Sequence, residues 1–315
     1  MIRTLFPTGE IFAVSDDGEL GREASRCGLV FVALDQVTQV PDGANVIVLL
    51  RRNLVTVQIR KAFRRHRALV VPIASFDTGS LPALYTLQML LRTDYAEAAR
   101  RSRDWAAQLA GNRDPLVFRS REDAGDEPRT HLTCTLADRL TADAWLTPEI
   151  QPGQWVSVGA YCEISLTAPS AANWTGAFTL DGTVVASGAL VARDPRYDDA
   201  GDARIKRAAD LREELVGHSR IIIRLAGGKA IAITADGTDY TGAVRDVTNP
   251  DYDLHALELG IGTNLALRPH VDWRLNSQLN EGAGPVHIGF GEGATGAHMD
   301  FIVADAEHSF EPTAA

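Results

Sequence analysis

The chain has 315 residues, of which 45% are hydrophobic and 23% charged, values typical of a globular protein with one large or two ordinary domains. Its formal net charge of −10 is opposite to that of most nucleic-acid-binding proteins, so we expect no nucleic-acid partner. No apolar run reaches the ~18 residues of a membrane span, and the N-terminus lacks the pattern of a signal peptide. Three cysteines without a C-x-x-C motif favour a reduced, cytoplasmic protein.

The first part of the chain alternates short apolar runs with helix-permissive sequence. Residues 29–34, 45–50 and 68–73 are continuous apolar runs, as in strands that are buried on both faces. The basic stretch 53–66 lies between the last two runs, and this β-α-β rhythm predicts a parallel sheet. Apolar residues then recur every three to four positions over 81–110, which predicts one long helix.

Residues 112–128 are charged and rich in helix and strand breakers, and we interpret them as a linker. They separate a predicted N-terminal domain, 1–125, from a C-terminal domain, 126–315, that is rich in β-strands. The strands predicted for the second domain are 130–136, 154–167, 176–180, 183–191, 219–225, 228–234, 255–261, 285–290 and 298–304.

A hairpin and two helices complete the predicted second domain. Asp181-Gly182 is a typical turn sequence and predicts a tight hairpin between two of the strands. Helices are expected near 204–215 and 268–280. The expected fold class is α/β (α+β), with a reduced N-terminal parallel-sheet domain followed by a mixed, β-rich domain.

Side chains that can bind metal are concentrated near the C-terminus. Glu258 lies in LELGIGTN, His287 in PVHIGFG, and His298 and Asp300 in HMD. On a strand, residues i and i+2 point to the same face, so His298 and Asp300 can converge on one ion. Imidazole with carboxylate suits zinc, and also cobalt, manganese or iron. The alternative interpretation is an ordinary polar strand edge without metal.

The motifs ELGIGTN, VHIGFG and HMDF, in this order, resemble the aminopeptidase T family of metallopeptidases. Their spacing is 29 residues from Glu258 to His287 and 11 from His287 to His298. The resemblance implies that these three residues and Asp300 are ligands of a divalent metal. It also implies a mixed β-rich domain of the aminopeptidase T type.

The family has one further glutamate ligand, for which this chain offers two candidates. Glu10, in FPTGEIF, is the closer literal match, but it would place the first ligand strand before a whole extra domain. Glu163, in GAYCEISLTAP, is followed by the same order of elements as in the family, and we select it. The resemblance then covers about residues 150–303.

Departures from the family pattern favour binding over hydrolysis. The family's tyrosine seven residues after the first histidine falls on Ala294, and the N-terminal region is short. Shortened relatives of the aminopeptidase T family resemble accessory proteins that bind the precursor peptides of crocagin-type, ribosomally made products. The run SFDTGSLPALYTLQMLL in this chain is similar to the sequence of those accessory proteins. The resemblance thus implies a homodimeric accessory protein that guides a precursor peptide, with a divalent metal or none.

Two enzyme functions remain as alternatives. A metal-dependent aminopeptidase would use all five ligands around one or two ions. A ferrous ring-opening dioxygenase would use His287, His298 and Asp300, since two histidines and a carboxylate suit ferrous iron. Catalytic residues are therefore left unassigned. Among the tryptophans, Trp174 is the one best placed in the sequence to contact a peptide.

Overall fold

The computed structural model describes residues 2–6, 8–120, 128–137, 141–167, 178–194 and 199–312. They form one parallel and two antiparallel sheets with helices, which confirms the expected mixed α/β class. The helices are α1 (Gly18–Arg26), α2 (Val57–Ala62), α3 (Ser80–Arg92), α4 (Tyr95–Gly111), α5 (Gly159–Cys162), α6 (Asp199–Val216) and α7 (Thr241–Val247). Within these ranges, no helix combines the length and the apolar content needed to cross a bilayer.

The strands belong to three sheets. The parallel sheet contains β1 (Ile11–Ser15), β2 (Val30–Ala33), β3 (Asn45–Leu49), β4 (Arg67–Val71) and β8 (Trp155–Ser157). The first antiparallel sheet contains β5 (Leu116–Arg119), β6 (His131–Leu136), β10 (Phe178–Ala186), β12 (Ile221–Ala226), β13 (Lys229–Ala235), β14 (Thr238–Asp239) and β18 (Glu307–Phe310). The second antiparallel sheet contains β7 (Thr141–Asp143), β9 (Glu163–Thr167), β11 (Gly188–Ala192), β15 (Ala256–Gly262), β16 (Val286–Phe290) and β17 (His298–Val303).

The parallel sheet has the order β2-β1-β3-β4-β8, and every neighbouring pair is parallel. Strand β1 and the following helix α1 were not predicted from the sequence. Strand β2 was expected to be buried on both faces, but it is a half-buried strand at the end of the sheet. Its fifth strand, β8, comes from sequence beyond the predicted linker. The predicted boundary at residue 125 lies outside the described residues, so the division into two domains stays a prediction.

Asp17 holds the start of α1 and ties it to the end of β3. Its side chain is fully buried, accepts a hydrogen bond from the Leu20 N–H, and lies 3.1 Å from Arg51 Nη1 and 2.9 Å from Arg52 Nη2. Burial raises the pKa of this carboxyl, but the Leu20 hydrogen bond and the two arginines outweigh burial, and the pKa is lowered below its usual range. The ionised form is therefore the one that the fold stabilises.

We expect Asp17→Asn to lower the free energy of unfolding by about 1–3 kcal/mol at pH 7, because asparagine still caps α1 but loses the charge that holds both arginines. A lowered folded-state pKa stabilises the protein above the unfolded-state value of about 4 and stops doing so as the pH falls through the folded value. The difference from wild type should thus shrink below about pH 4 in denaturant titrations. Asp42→Asn, which removes the exposed pair with Arg65, should change stability by less than about 0.5 kcal/mol.

The hairpin predicted at Asp181-Gly182 is wrong. β10 runs through both residues, the chain turns at Ser187, and β11 joins the other antiparallel sheet. A glycine stands at position 182 because its φ is +126° and a Cβ would lie 2.0 Å from the carbonyl oxygen of His131 on β6. The glycine therefore serves a close approach of two strands rather than a turn.

Other predicted elements are interrupted by local signals. The helix expected over 81–110 is two helices, because Thr93 bonds back to Met89 O and Asp94 caps α4 through the Glu97 N–H. The strand expected over 154–167 is split by α5 into β8 and β9, which belong to different sheets. The linker expected over 112–128 contains β5.

The helix expected over 268–280 is also wrong. The chain forms 3₁₀ turns over Leu265–His270 and Gln278–Ala283 instead, with Pro269 inside the first. Side chains of α3 hold the second turn: Tyr85 OH donates to Asn280 Oδ1 at 2.7 Å, and the hydroxyls of Thr86 and Ser277 are 2.8 Å apart. The N-terminal helices thus position the segment just before β16.

Candidate metal centre

One face of the second antiparallel sheet carries the residues that the sequence predicts as ligands. In this sheet, with the order β11-β17-β16-β15-β9-β7, Gly260 lies opposite His287, and Gly289 lies opposite both Glu258 and Asp300. Directly opposite residues share a face, so these five positions face the same side. The other face is apolar and belongs to the core: it presents Ile164, Leu166, Leu259, Ile261, Ile288, Phe290, Met299 and Phe301.

A first group of possible ligands joins three neighbouring strands. Glu163 on β9, Glu258 on β15 and His287 on β16 place one ligand atom each within 4.8 Å of the others. His287 Nε2 lies 3.4 Å from Glu163 Oε2 and 3.9 Å from Glu258 Oε1. The selection of Glu163 in the sequence thus matches the geometry, whereas Glu10 is exposed just before β1, in the parallel sheet.

A second group shares Glu258 with the first. Glu258, His298 and Asp300 also place ligand atoms within 4.8 Å of one another. His298 Nε2 lies 3.3 Å from Glu258 Oε2 and 2.9 Å from Asp300 Oδ1. The two oxygens of Glu258 thus face different histidines. This geometry suits two neighbouring cations that share the Glu258 carboxylate.

Two glycines make room for the imidazoles. A Cβ on Gly260 would lie 1.8 Å from Cε1 of His287, and a Cβ on Gly289 would lie 2.7 Å from Cε1 of His298 and 2.8 Å from Asp300 Oδ1. Each histidine ring therefore lies directly over a glycine of the neighbouring strand. The glycines of ELGIG and HIGF are part of the site because any larger residue would occupy the place of a ligand.

Two further contacts orient the ligands. His298 Nδ1 is 2.8 Å from the carbonyl oxygen of Gly291, which leaves Nε2 to face the carboxylates. Ser165, two residues after Glu163 on β9, donates its hydroxyl hydrogen to Glu258 Oε1 at 2.5 Å. Ser165 thereby fixes the carboxylate that both groups share.

We expect Ser165→Ala to weaken divalent-metal binding by about 10–100-fold, since partners that orient metal ligands have effects of this size. Zinc titration against a competing chelator measures the change. Ser25→Ala, on the exposed surface of α1, is the matched control and should bind metal as wild type does. Equal affinities in both variants would show that the Ser165 hydroxyl does not hold Glu258 for metal binding.

The cluster has the polar atoms and the charge that a divalent cation requires. Glu163 Oε2, Asp300 Oδ2 and His287 Nδ1 are buried without a hydrogen-bond partner, and Asp300 Oδ1 lies 2.9 Å from His298 Nε2. In the described ranges, no lysine or arginine forms an ion pair with Glu163, Glu258 or Asp300. Three largely buried carboxylates that have only two histidines as possible cationic partners are costly, so a bound cation fits this donor set.

Protonation at the site follows from these contacts. Burial raises the pKa of Glu258, but the hydrogen bond and charge of His298, with His287 and Ser165, outweigh burial and lower this pKa to about 2. Burial lowers the pKa of His298, but Asp300 and Glu258 hold it well above its usual range. Burial and the neighbouring carboxylates raise the pKa of Glu163 well above normal. A cation that binds here must therefore displace protons.

Glu281 is a further carboxylate near the cluster that the sequence motifs do not predict. It is buried on the 3₁₀ turn Gln278–Ala283, and burial with the charges of Glu163, Asp300 and Glu258 raises its pKa well above the usual range. The available signal was a lone carboxylate among small residues, NEGAGP, just before the strand of His287. Trp174 lies outside the described residues, and Ala294 lies in the turn between β16 and β17.

A family profile described as crocagin biosynthetic protein CgnE/B matches residues 8–311. The chain belongs to this family. No curated protein sequence matches the chain significantly. Membership in CgnE/B assigns the protein to the biosynthesis of a crocagin natural product and confirms the predicted link to crocagin-type relatives. The likeness to aminopeptidase T rests on the motifs alone.

Proposed function

We propose that this CgnE/B protein binds a precursor peptide during crocagin biosynthesis, with the carboxylate–histidine cluster as an anchoring site. The observation that carries the proposal is the family match over almost the whole chain. Crocagin-type products are made from ribosomal peptides, and membership in this pathway therefore favours a precursor peptide as the partner. The homodimer expected from the sequence stays a prediction.

The exposure of the cluster supports a partner that reaches it from one side. The side chains of Glu258 and His298 are 18% and 19% exposed, whereas those of His287 and Asp300 are each 1% exposed. The donors that would hold a divalent metal are Glu163, Glu258, His287, His298 and Asp300. A metal held there would supply a Lewis acid for an amine or a carbonyl oxygen of the peptide.

Binding without turnover is the function that these side chains support best. Hydrolysis of a peptide bond needs donors that stabilise the developing oxyanion. The resemblance to aminopeptidase T expects a tyrosine hydroxyl for this task at position 294, and Ala294 offers only a methyl group. The site therefore lacks one hydrogen-bond donor that would stabilise the oxyanion during peptide-bond cleavage.

A metal-dependent aminopeptidase is the second candidate, and the sharing of Glu258 between two ligand groups favours it. Such a pair suits two cations that act on one substrate oxygen. We do not propose the ferrous dioxygenase, because among the described residues His287 and His298 fall in different ligand groups. A two-histidine, one-carboxylate triad is thus not formed around a single position.

The test combines metal analysis with titration of the crocagin precursor peptide by calorimetry. We expect micromolar binding and no release of N-terminal residues over hours. His298→Ala should bind the peptide at least tenfold more weakly, whereas His270→Ala, at an exposed position, should match wild type. Release of N-terminal amino acids that depends on metal would favour the aminopeptidase instead, and absence of peptide binding by wild type would overturn the proposal.

A further inference from the structure

Among the described residues, β7 is the last strand of the sheet that carries the metal centre. β7 pairs with β9 on one side only, with Asp143 opposite Ser165 and Ala142 opposite Leu166. On its other side, β7 forms no backbone hydrogen bond with any described element, and Ala142 and Asp143 are exposed. Unpaired N–H and C=O groups of this kind are a template for an added strand.

A small apolar cavity lies beside this strand. It has a volume of about 220 Å³ and lies between α4 and the end of β6, where Ala106, Leu109, Leu136 and Ala142 line it. Arg113 also lines it, and its guanidinium donates to the Asn112 carbonyl oxygen at 3.0 Å. Because a dry cavity of about 150 Å³ accepts benzene, this one has room for one aromatic or branched aliphatic side chain.

Alternation along β7 connects the cavity with the face of the metal centre. Asp143 shares a face with Ser165, which contacts Glu258, so its carboxylate lies on the face of the cluster. Ala142 points to the opposite face and lines the cavity. A strand added to β7 would alternate in the same way, with one side chain towards the cavity and its neighbours towards the acidic face.

We propose that an extended segment of the precursor peptide adds to β7 as a further strand and inserts one apolar side chain into this cavity. Main-chain hydrogen bonds supply affinity in this mode, and the cavity selects the residue. The exposed Asp143 and the carboxylates beyond it favour a cationic group next to the apolar residue, either a lysine or arginine side chain or the terminal amine.

The position of the added strand also limits what the metal centre can reach. Strands in a sheet are ~4.8 Å apart, so the peptide backbone would run about 10 Å from β9 and Glu163. Only a chain end or a long side chain spans that distance. A segment bound at β7 therefore keeps its peptide bonds away from the cluster, in agreement with the binding function on which this inference rests.

Filling the cavity tests the inference. Ala106→Trp, on the cavity wall, should weaken binding of the crocagin precursor peptide at least tenfold in calorimetry, whereas Ala107→Trp, the exposed neighbour on α4, should bind as wild type does. Ala110→Trp fills the same cavity from an exposed position and provides the answer if Ala106→Trp does not fold. Metal content should be unchanged in all three variants, because none contacts the cluster.

Alanine substitutions along the peptide identify the inserted residue. Alanine at one apolar position of the peptide should weaken its binding to the wild-type protein, but should not weaken its binding to Ala110→Trp any further. Bound peptide should also protect the backbone amides of residues 141–143 from hydrogen exchange. Peptides with an acetylated N-terminus, or with each lysine or arginine replaced by glutamine, identify the cationic group. If neither acetylation nor the glutamine replacements lower the affinity, the peptide does not need a cationic group, and that part of the proposal is wrong.

The outcomes separate the two proposals. If wild type binds the peptide and the three tryptophan variants bind equally well, without protection at β7, the β7 site is wrong and the peptide-binding function stands. If wild type does not bind the peptide, the function itself is wrong.

Discussion

Glu258→Gln is expected to remove tight divalent-metal binding from the whole cluster with a single neutral replacement. The side chain supplies Oε1 to the group of His287 and Oε2 to the group of His298, so both groups lose a charged donor at once. The loss of affinity should exceed the ~10–100-fold that is usual for residues that only orient ligands. Metal per chain after dialysis and zinc titration measure it.

The control for this variant is Glu10→Gln, at the other glutamate that resembles the family motif. Glu10 is exposed before β1, in the parallel sheet, so its replacement should leave the metal content as in wild type. A metal-bound protein should also melt at a higher temperature than the protein treated with a chelator, and Glu258→Gln should show no such difference. Metal retained by Glu258→Gln and lost by Glu10→Gln would reverse our assignment.

Gly260→Ala is expected to destabilise the protein and to eliminate metal binding, although it adds only one methyl group. The added carbon would lie 1.8 Å from Cε1 and 2.1 Å from Nε2 of His287, whose buried ring also faces the carboxylates of Glu163 and Glu258. Overpacking of this kind costs about 1–3 kcal/mol. Denaturant unfolding of the metal-free protein gives the cost, and zinc titration gives the loss of binding.

Gly242→Ala is the matched control, because a Cβ at this position in α7 has no heavy atom within 4 Å. Alanine is a better helix former than glycine, so stability should stay constant or rise by up to about 1 kcal/mol. If Gly260→Ala were as stable as Gly242→Ala and kept its metal, His287 would not need the space above this glycine.

Strand periodicity predicts only that His298 and Asp300 share a face, whereas Glu163, Glu258 and His287, on three other strands, were predicted from the resemblance to aminopeptidase T. His298 and Asp300 alternate with apolar Met299 and Phe301, so the period of a strand alone sets them on one face. The motif order then indicated which strands belong together. Glu281 has no such pattern, since a 3₁₀ turn that is held by Tyr85 and Thr86 of α3 carries it to the site.

The elements that sequence reasoning missed depend on distant contacts. Asp181-Gly182 has the local preference of a turn, but the neighbouring β6 keeps it extended within β10. The segment 154–167, predicted as one strand, gives no sign in its sequence that its two ends enter different sheets. Pro269, inside the expected helix, is a local signal against that helix because proline breaks helical hydrogen bonding.

Strand β8 and strand β9 are separated only by the short helix α5, yet the first completes the parallel sheet and the second carries Glu163. Recombination at the predicted linker would therefore separate β8 from its partner strand in the parallel sheet. A fragment 1–125 would lack the fifth strand of its own sheet, and a fragment 126–315 would expose β8 without its partner β4.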